Sequence, residues 1–360
     1  MQDRATARSS LMCRNVAPTI RNILIQMVSP PDVFEGEGFS VIVDFSDPGW
    51  LDTHTAIIDW NDGMTGSPTI SEENERPFST GSFTASYVYG DDFNLGFTIT
   101  VTDDDGDSDV RDVEMDVLNL DPIIKNFAYS LNVYDPRTVG YWKHQHTVVE
   151  PYGDHTGLLQ EYIDFISQNS QLFSNVQTEG QVYEILKYAS GEEMWLRAQG
   201  QLMAVWLNVA SGKLSLTTKV LIPGQPETTL GDVINWAESI LMAPGNKSTY
   251  EEVKDVCDGI NNGFYVPLGE ASLSLLAHDP GSDDIIVSVD WGDGHADVES
   301  HYNDGVAPDP MNSPSGTYPF FAGMAMKHDY WSHGSFLVTV AVLDDDGGSV
   351  TFDLVLDVVP

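Results

Sequence analysis

Asp290-Trp291-Gly292-Asp293-Gly294 repeats, with one change, the earlier Asp59-Trp60-Asn61-Asp62-Gly63. Outward from this pentapeptide the two surroundings agree. Asp47-Pro48-Gly49 precedes the first and Asp279-Pro280-Gly281 the second; Tyr87-Val88-Tyr89 follows the first and His328-Asp329-Tyr330 the second. Each copy then runs through a strand-like stretch into an acidic turn, Asp103-Asp104-Asp105-Gly106 or Asp344-Asp345-Asp346-Gly347. Four landmarks in one order define an internal repeat. Phe97, Ile99 and Val101 alternate with Thr, and Val338, Val340 and Val342 do the same in the second copy. Such alternation marks strands with one face in water, and the Asp-Gly turns between them mark hairpins. Several short strands in roughly 100 residues, separated by Gly, Pro and Asp turns, predict a β-sandwich for each copy.

These residues resemble polycystic-kidney-disease (PKD) repeats, whose pattern is W-x-F-G-D-G, then H-x-Y, then a strand ending V-T-D-x-x-G. The second copy keeps Trp291-Gly292-Asp293-Gly294 and His328-Asp329-Tyr330, whereas the first has Asn61 for the glycine and Tyr87 for the histidine. Both use a shorter D-W-x-D-G form, similar to repeats of large archaeal and bacterial surface proteins. The resemblance spans residues 15–134 and 264–360, and it implies immunoglobulin-like β-sandwiches.

The second copy is interrupted. Pro122-Ile123-Ile124-Lys125-Asn126-Phe127 matches the opening Pro18-Thr19-Ile20-Arg21-Asn22-Ile23, yet its continuation Tyr265-Val266-Pro267-Leu268-Gly269-Glu270 comes much later. The expected organisation is a disordered or truncated start at 1–14, sandwich one at 15–119, a discontinuous sandwich two at 120–134 and 264–360, and an inserted small all-α bundle at 135–263. An insertion of this kind needs its two ends close together. Within it Leu159/Ile163/Ile166, Val182/Ile185/Leu186, Leu202/Val205/Val209, Val233/Ile234/Leu241 and Val253/Val256/Ile260 have helical spacing, so five helices are expected. Thr178 with Gln181 and Ser248 with Glu251 have capping-box spacing, and Gly263 follows the last helix as a stop. The opening Arg137-Thr138-Val139-Gly140-Tyr141-Trp142-Lys143-His144 resembles the R-T-x-G-Y-W-K-x-H start of a helical module of secreted prokaryotic proteins.

Charge narrows the function. With 55 Asp+Glu against 16 Lys+Arg the formal charge is -39. That excludes phosphate binding through released counterions, and hence nucleic-acid partners. Hydrophobic residues at 41% exclude a disordered acidic tail. No stretch is long and apolar enough for direct membrane insertion. The charge is uneven: residues 135–263 hold 16 acidic and 8 basic side chains, while 15–134 and 264–360 hold 38 and 5. The acidity belongs to the repeats.

Adjacent aspartates on one turn raise each other's pKa unless a cation neutralises them, and hard carboxylate oxygens suit Ca²⁺. The PKD resemblance implies calcium between the start of the first strand, the D-P-G loop and the acidic turn. The candidates are Asn15, Asp47, Asp103 and Asp105 in the first copy, and Asn119, Asp279, Asp344 and Asp346 in the second. The competing reading is a solvated hairpin turn in which Asp-Gly serves backbone geometry. Trp60 and Trp291 read as core residues rather than sugar platforms. In the helical region His144, His146 and His155 offer Zn²⁺ ligands in a loop, without the H-E-x-x-H pairing of a catalytic site; structural hydrogen bonding is the alternative. No nucleophile elbow, P-loop or dinucleotide fingerprint occurs, and Cys257 at helical spacing reads as a core residue.

The expected function is a non-catalytic, structural and adhesive segment of a larger extracellular or cell-surface repeat protein, with Ca²⁺ in its acidic loops. Its partners are neighbouring repeats of the same protein and cell-surface glycans or proteins. Leu356-Asp357-Val358-Val359-Pro360 resembles the junction Leu118-Asn119-Leu120-Asp121-Pro122, as if another repeat followed. Two alternatives are an accessory region of a secreted enzyme with a metal site in the insert, and a carbohydrate-binding module using Tyr318, Phe320, Phe321 and Trp331 in the excursion 302–334.

Overall fold

The computed structural model describes residues 14–94, 96–149, 156–304 and 318–359. Alternation in sequence becomes alternation in burial. Gly38–Asp47 turns Phe39, Val41, Val43 and Phe45 inward, and Phe97–Asp103 turns Phe97, Ile99 and Val101 to meet them. The first of these strands lies in a sheet ordered Thr19–Met27, Gly38–Asp47, Phe78–Val88, Ser71–Glu75; the second lies in a sheet ordered Ser108–Val113, Phe97–Asp103, His54–Asp59, Thr65–Gly66. Their inner faces share one core with Trp60 and Tyr89. A small third sheet joins Asp116–Leu118 to Val33–Phe34 in parallel and to Phe93–Asn94 antiparallel.

The later strands build the same arrangement. Ile123–Val133 pairs antiparallel with Gly269–Asp279, from Ile123 opposite His278 to Val133 opposite Gly269, and the latter pairs with Phe320–Tyr330. The facing sheet runs Ala296–His301, Ile285–Asp290, Gly334–Leu343, Ser349–Val358. Trp291, Tyr330 and the inward valines of Gly334–Leu343 fill the core between them.

The two copies also explain each other's differences. Gly292 has φ 77° and Asn61 has φ 62°, a left-handed conformation that Asn tolerates better than other side chains. Asn61 then uses its amide, Nδ2 donating to Gly96 O at 3.0 Å. His328 stacks on Trp291 and shares a 2.9 Å hydrogen bond with Asp293. Tyr87 stacks on Trp60 and donates its hydroxyl to Asp62 at 2.6 Å, so tyrosine does the same work. Tyr89 and Tyr330 each donate to the carbonyl of the buried tryptophan, at 3.1 and 2.9 Å. Both tryptophans are core residues.

Among the described residues between Val133 and Gly269 lie six helices: Val139–Val149, Thr156–Asn169, Glu179–Lys187, Met194–Ala210, Leu230–Met242 and Lys247–Asn261. Three expectations need correction here. The stretch holding His144 and His146 is helical, not a loop, because Trp142 is buried and its indole donates to Asn208 Oδ1 at 3.2 Å, anchoring a turn with little helical patterning of its own. The last helix is capped by Asn246 with Thr249, not by Ser248 with Glu251. The region is not purely helical either, since Lys219–Val220 pairs with Thr228–Thr229. The Thr178–Gln181 capping box forms as expected, and Gly263 leaves the last helix at φ 74°.

The central helix Met194–Ala210 is buried along most of its length. Its Asn208, fully enclosed, ties the two ends of the region together. Asn208 Oδ1 accepts from Arg137 N–H at 2.8 Å; its amide donates to Arg137 O at 2.9 Å and to Asn261 Oδ1 at 3.0 Å. Lys219 with Asp329 at 2.7 Å, and the Tyr134 hydroxyl donating to Glu270 at 3.2 Å, fasten the helices to the second sheet pair. Among the described residues no helix is long and apolar enough to cross a membrane.

Candidate metal centres

Each sheet pair ends a strand in the D-P-G loop and another in the acidic turn, so the two loops meet at one end. In the first pair this gathers Asp47, Asp52 and Asp103; in the second, Asp279, Asp283 and Asp344. Within each set one ligand oxygen per residue lies within 4.8 Å of the others. Two oxygens bound to one Ca²⁺ at its usual distance are at most about 5 Å apart, so the spacing fits a shared ion. Asp52 and Asp283 were missed in the sequence, although both follow the D-P-G by a few residues and could have been found by aligning the copies.

The two sets differ in what already satisfies them. In the first, Asn15 Nδ2 donates to Asp103 Oδ2 at 2.8 Å, and backbone N–H groups of Asp105, Gly106 and Asp107 donate to Asp103 Oδ1 at 3.0, 2.7 and 2.9 Å. Burial opposes the charge on Asp103, but these donors outweigh it and hold its carboxyl below the usual range. Mutual repulsion therefore does not raise it, contrary to expectation. Asp105 is exposed and contributes its backbone N–H to this turn. Asp47 Oδ2 shares a 3.2 Å hydrogen bond with His54 Nε2, whose other ring nitrogen meets Glu72 at 2.9 Å.

In the second set the same positions are left open. Asp279 Oδ1 accepts from Gly281 N–H at 2.8 Å and Asp344 Oδ1 from Gly348 N–H at 2.6 Å, but Oδ2 of both, both oxygens of Asp283, and Oδ1 of Asn119 are buried without a hydrogen-bond partner among the described residues. Asp279, Asp283 and Asp344 are 0, 2 and 5% exposed. Where the first pair has His54, the second has the apolar Ile285, at the start of the matching strand. Burial, followed by the charges of Asp344, Asp345 and Asp346, pushes Asp279 up to about 7. Burial and then Asp92 push the exposed turn residue Asp346 up to about 6. Orphaned carboxylate oxygens in a buried site are costly, and hard cations supply what they lack. Asn119, Asp279 and Asp344 thus fit a hard divalent cation better than Asn15, Asp47 and Asp103.

The sandwich-one side adds more carboxylates. Glu35, Asp91 and Asp283 form one further set, and Asp91, Asp92 and Asp346 another. Nothing in the repeat pattern marked Glu35, Asp91 or Asp92, because they belong to the opposite end of the first copy.

The zinc candidates fare differently. His144 is exposed on the helix Val139–Val149. His155 and the side chain of His146 lie outside the described residues. A separate trio, Asp293, His295 and His328, gathers beside Trp291, and there the hydrogen bond to His328 helps hold Asp293 below the ordinary range against burial. Cys257 is buried in the helical core, and burial pushes its thiol up to about 12, which makes it inert. Of the aromatic excursion, Phe320 is part of the core margin, Phe321 lies over His278, and Tyr318 packs against Gly90 of the first sheet pair.

No protein-family model and no curated protein sequence matches the chain. Among solved structures, dimeric latent PorU from Porphyromonas gingivalis aligns over 97% of this chain and 21% of its own, at 10% identity and a TM-score of 0.23. Red sea bream transglutaminase aligns over 96% of this chain and 32% of its own, at 8% identity and a TM-score of 0.20. The chain spans about a fifth and a third of these proteins.

Proposed function

We propose that the chain is a non-catalytic structural and adhesive segment of an extracellular surface protein, built from two PKD-like sandwiches with a helical insertion, and that Ca²⁺ holds its acidic loops. The observation that carries this reading is the open set of Asp279, Asp283 and Asp344, with buried oxygens that no donor meets among the described residues. Carboxylate oxygens without nitrogen or sulfur ligands favour a hard cation over a transition metal. Exposed acidic surface on the sheets, and a helical region that is only mildly acidic, suit a water-facing spacer.

Thermal melting of the whole chain in millimolar Ca²⁺ and in chelator tests the reading. Ca²⁺ at about 100 times its Kd adds about 2.7 kcal/mol to the native state, worth roughly 5–10 °C in Tm for a domain of this size. Coincident melting curves remove calcium from the proposal.

A further inference from the structure

We infer that a second divalent cation is bound between the two sandwiches, by Glu35 and Asp91 of the first and Asp283 of the second, and that it fixes how the sandwiches are joined. The inference rests on the calcium reading above and extends it to a site made by two bodies.

The geometry starts from two close backbone approaches. Gly36, at φ 67°, lies so near the D-P-G loop that a Cβ on it would fall 2.1 Å from Pro280 O. A Cβ on Gly281 would fall 2.1 Å from Glu35 Oε2. Only glycine permits this contact, and it carries the Glu35 side chain into the acidic end of the second sandwich. The glutamate is oriented before any ion arrives. Its N–H donates to Leu118 O at 3.1 Å and its Oε1 accepts from Leu120 N–H at 2.7 Å, which leaves Oε2 buried and without a hydrogen-bond donor among the described residues.

Glu35 is 0% exposed and Asp283 2%, and neither is in an ion pair with Lys, Arg or His among the described residues. Together with Asp91, also buried, they bring ligand oxygens within 4.8 Å of one another. Without a cation, Glu35 and Asp283 can share this dry interface only by taking up protons, since each uncompensated buried charge costs several kcal/mol. A hard divalent ion replaces those protons and turns the contact into a joint. Asp283 belongs both to this set and to the set with Asp279 and Asp344, and both of its oxygens are open. One oxygen can serve each ion, so Asp283 links the bridging site to the site within the second sandwich. Asp91, shared with Asp92 and Asp346, extends the cluster on the other side.

Equilibrium dialysis of the full chain against radiolabelled Ca²⁺ tests this, using wild type, the double variant Glu35→Gln/Asp91→Asn, and Asp279→Asn/Asp344→Asn. The wild type is expected to take up more than one Ca²⁺, and the first double variant to lose one equivalent while keeping the rest. Cooperative melting of each variant in chelator shows that it is folded. Undiminished stoichiometry in Glu35→Gln/Asp91→Asn overturns the bridging site and leaves the calcium reading standing. No binding by wild type removes both. Should the double variant not melt cooperatively in chelator, the wild type decides alone: a single equivalent overturns the inference and a second supports it.

Discussion

Gly281 and Asp344 show how single residues set this junction. Replacing Gly281 with alanine puts a methyl on Glu35 Oε2, so the side chain or the loop must move. Gly281→Ala is expected to lower stability by about 1–3 kcal/mol, read from urea midpoints with Ca²⁺ present. The paired copies supply a control for metal binding. Asp344→Asn removes a carboxylate whose Oδ2 has no hydrogen-bond partner among the described residues, whereas Asp103 is held by Asn15 and three backbone donors. Calorimetric titration should therefore show Ca²⁺ affinity falling about tenfold or more in Asp344→Asn and changing little in Asp103→Asn. Equal losses would mean that the hydrogen-bonded set binds as well as the open one.

At the scale of elements, strands were more legible than helix ends. A strand's period of two survives wherever one face is buried, so Phe97, Ile99 and Val101 announce their own burial. Caps are decided by a few local hydrogen bonds among residues of similar capacity. Asn246 and Ser248 are both good N-caps, yet Asn246 Oδ1 accepts from Thr249 N–H at 3.1 Å and Thr249 Oγ1 accepts in return from Asn246 N–H at 3.2 Å. Asn246→Ala should cost about 1 kcal/mol in chemical denaturation and Ser248→Ala much less. The helix Val139–Val149 was hidden for another reason: glycine and β-branched residues weaken its local preference, and burial of Trp142 against Asn208 supplies the support.

Across the whole molecule the net charge of -39 acts through one end of the second sandwich. Asp279 and Asp346 have folded-state pKa values of about 7 and 6, against about 4 in the unfolded chain. Glu35 and Asp283 are raised further, both by burial first; the charge of Asp279 adds to Glu35, against the lowering hydrogen bonds from Leu120 and Asp283, and the charges of Glu35 and Asp279 add to Asp283. The native state thus binds more protons than the unfolded state above about pH 4, so without calcium stability is present at low pH and is lost as pH rises through these folded values. Asp103, Asp232 and Asp293, whose values are lowered, act in the opposite sense but only below that window. In chelator the urea midpoint should be higher at pH 5 than at pH 8, and saturating Ca²⁺ should flatten the difference. A midpoint that rises with pH in chelator contradicts the acidic cluster as described.

The repeated landmarks, the alternating strands, the buried tryptophans and most of the helices could be read from the chain alone, because each depends on periodicity or on turn residues at fixed offsets. Asn119, Asp279, Asp344 and their counterparts could be named only through the resemblance to PKD repeats, carried onto the matching positions. Whether those residues are open or already satisfied could not be read, since it turns on His54 reaching Asp47 and on Ile285 standing where an imidazole would. Nor could the approach of Glu35 and Asp91 to Asp283, which are separated by about 190 residues or more and share no motif. Local pattern is a property of neighbours along the chain; the charge balance of a buried junction is a property of neighbours in space, and only the tertiary structure decided it.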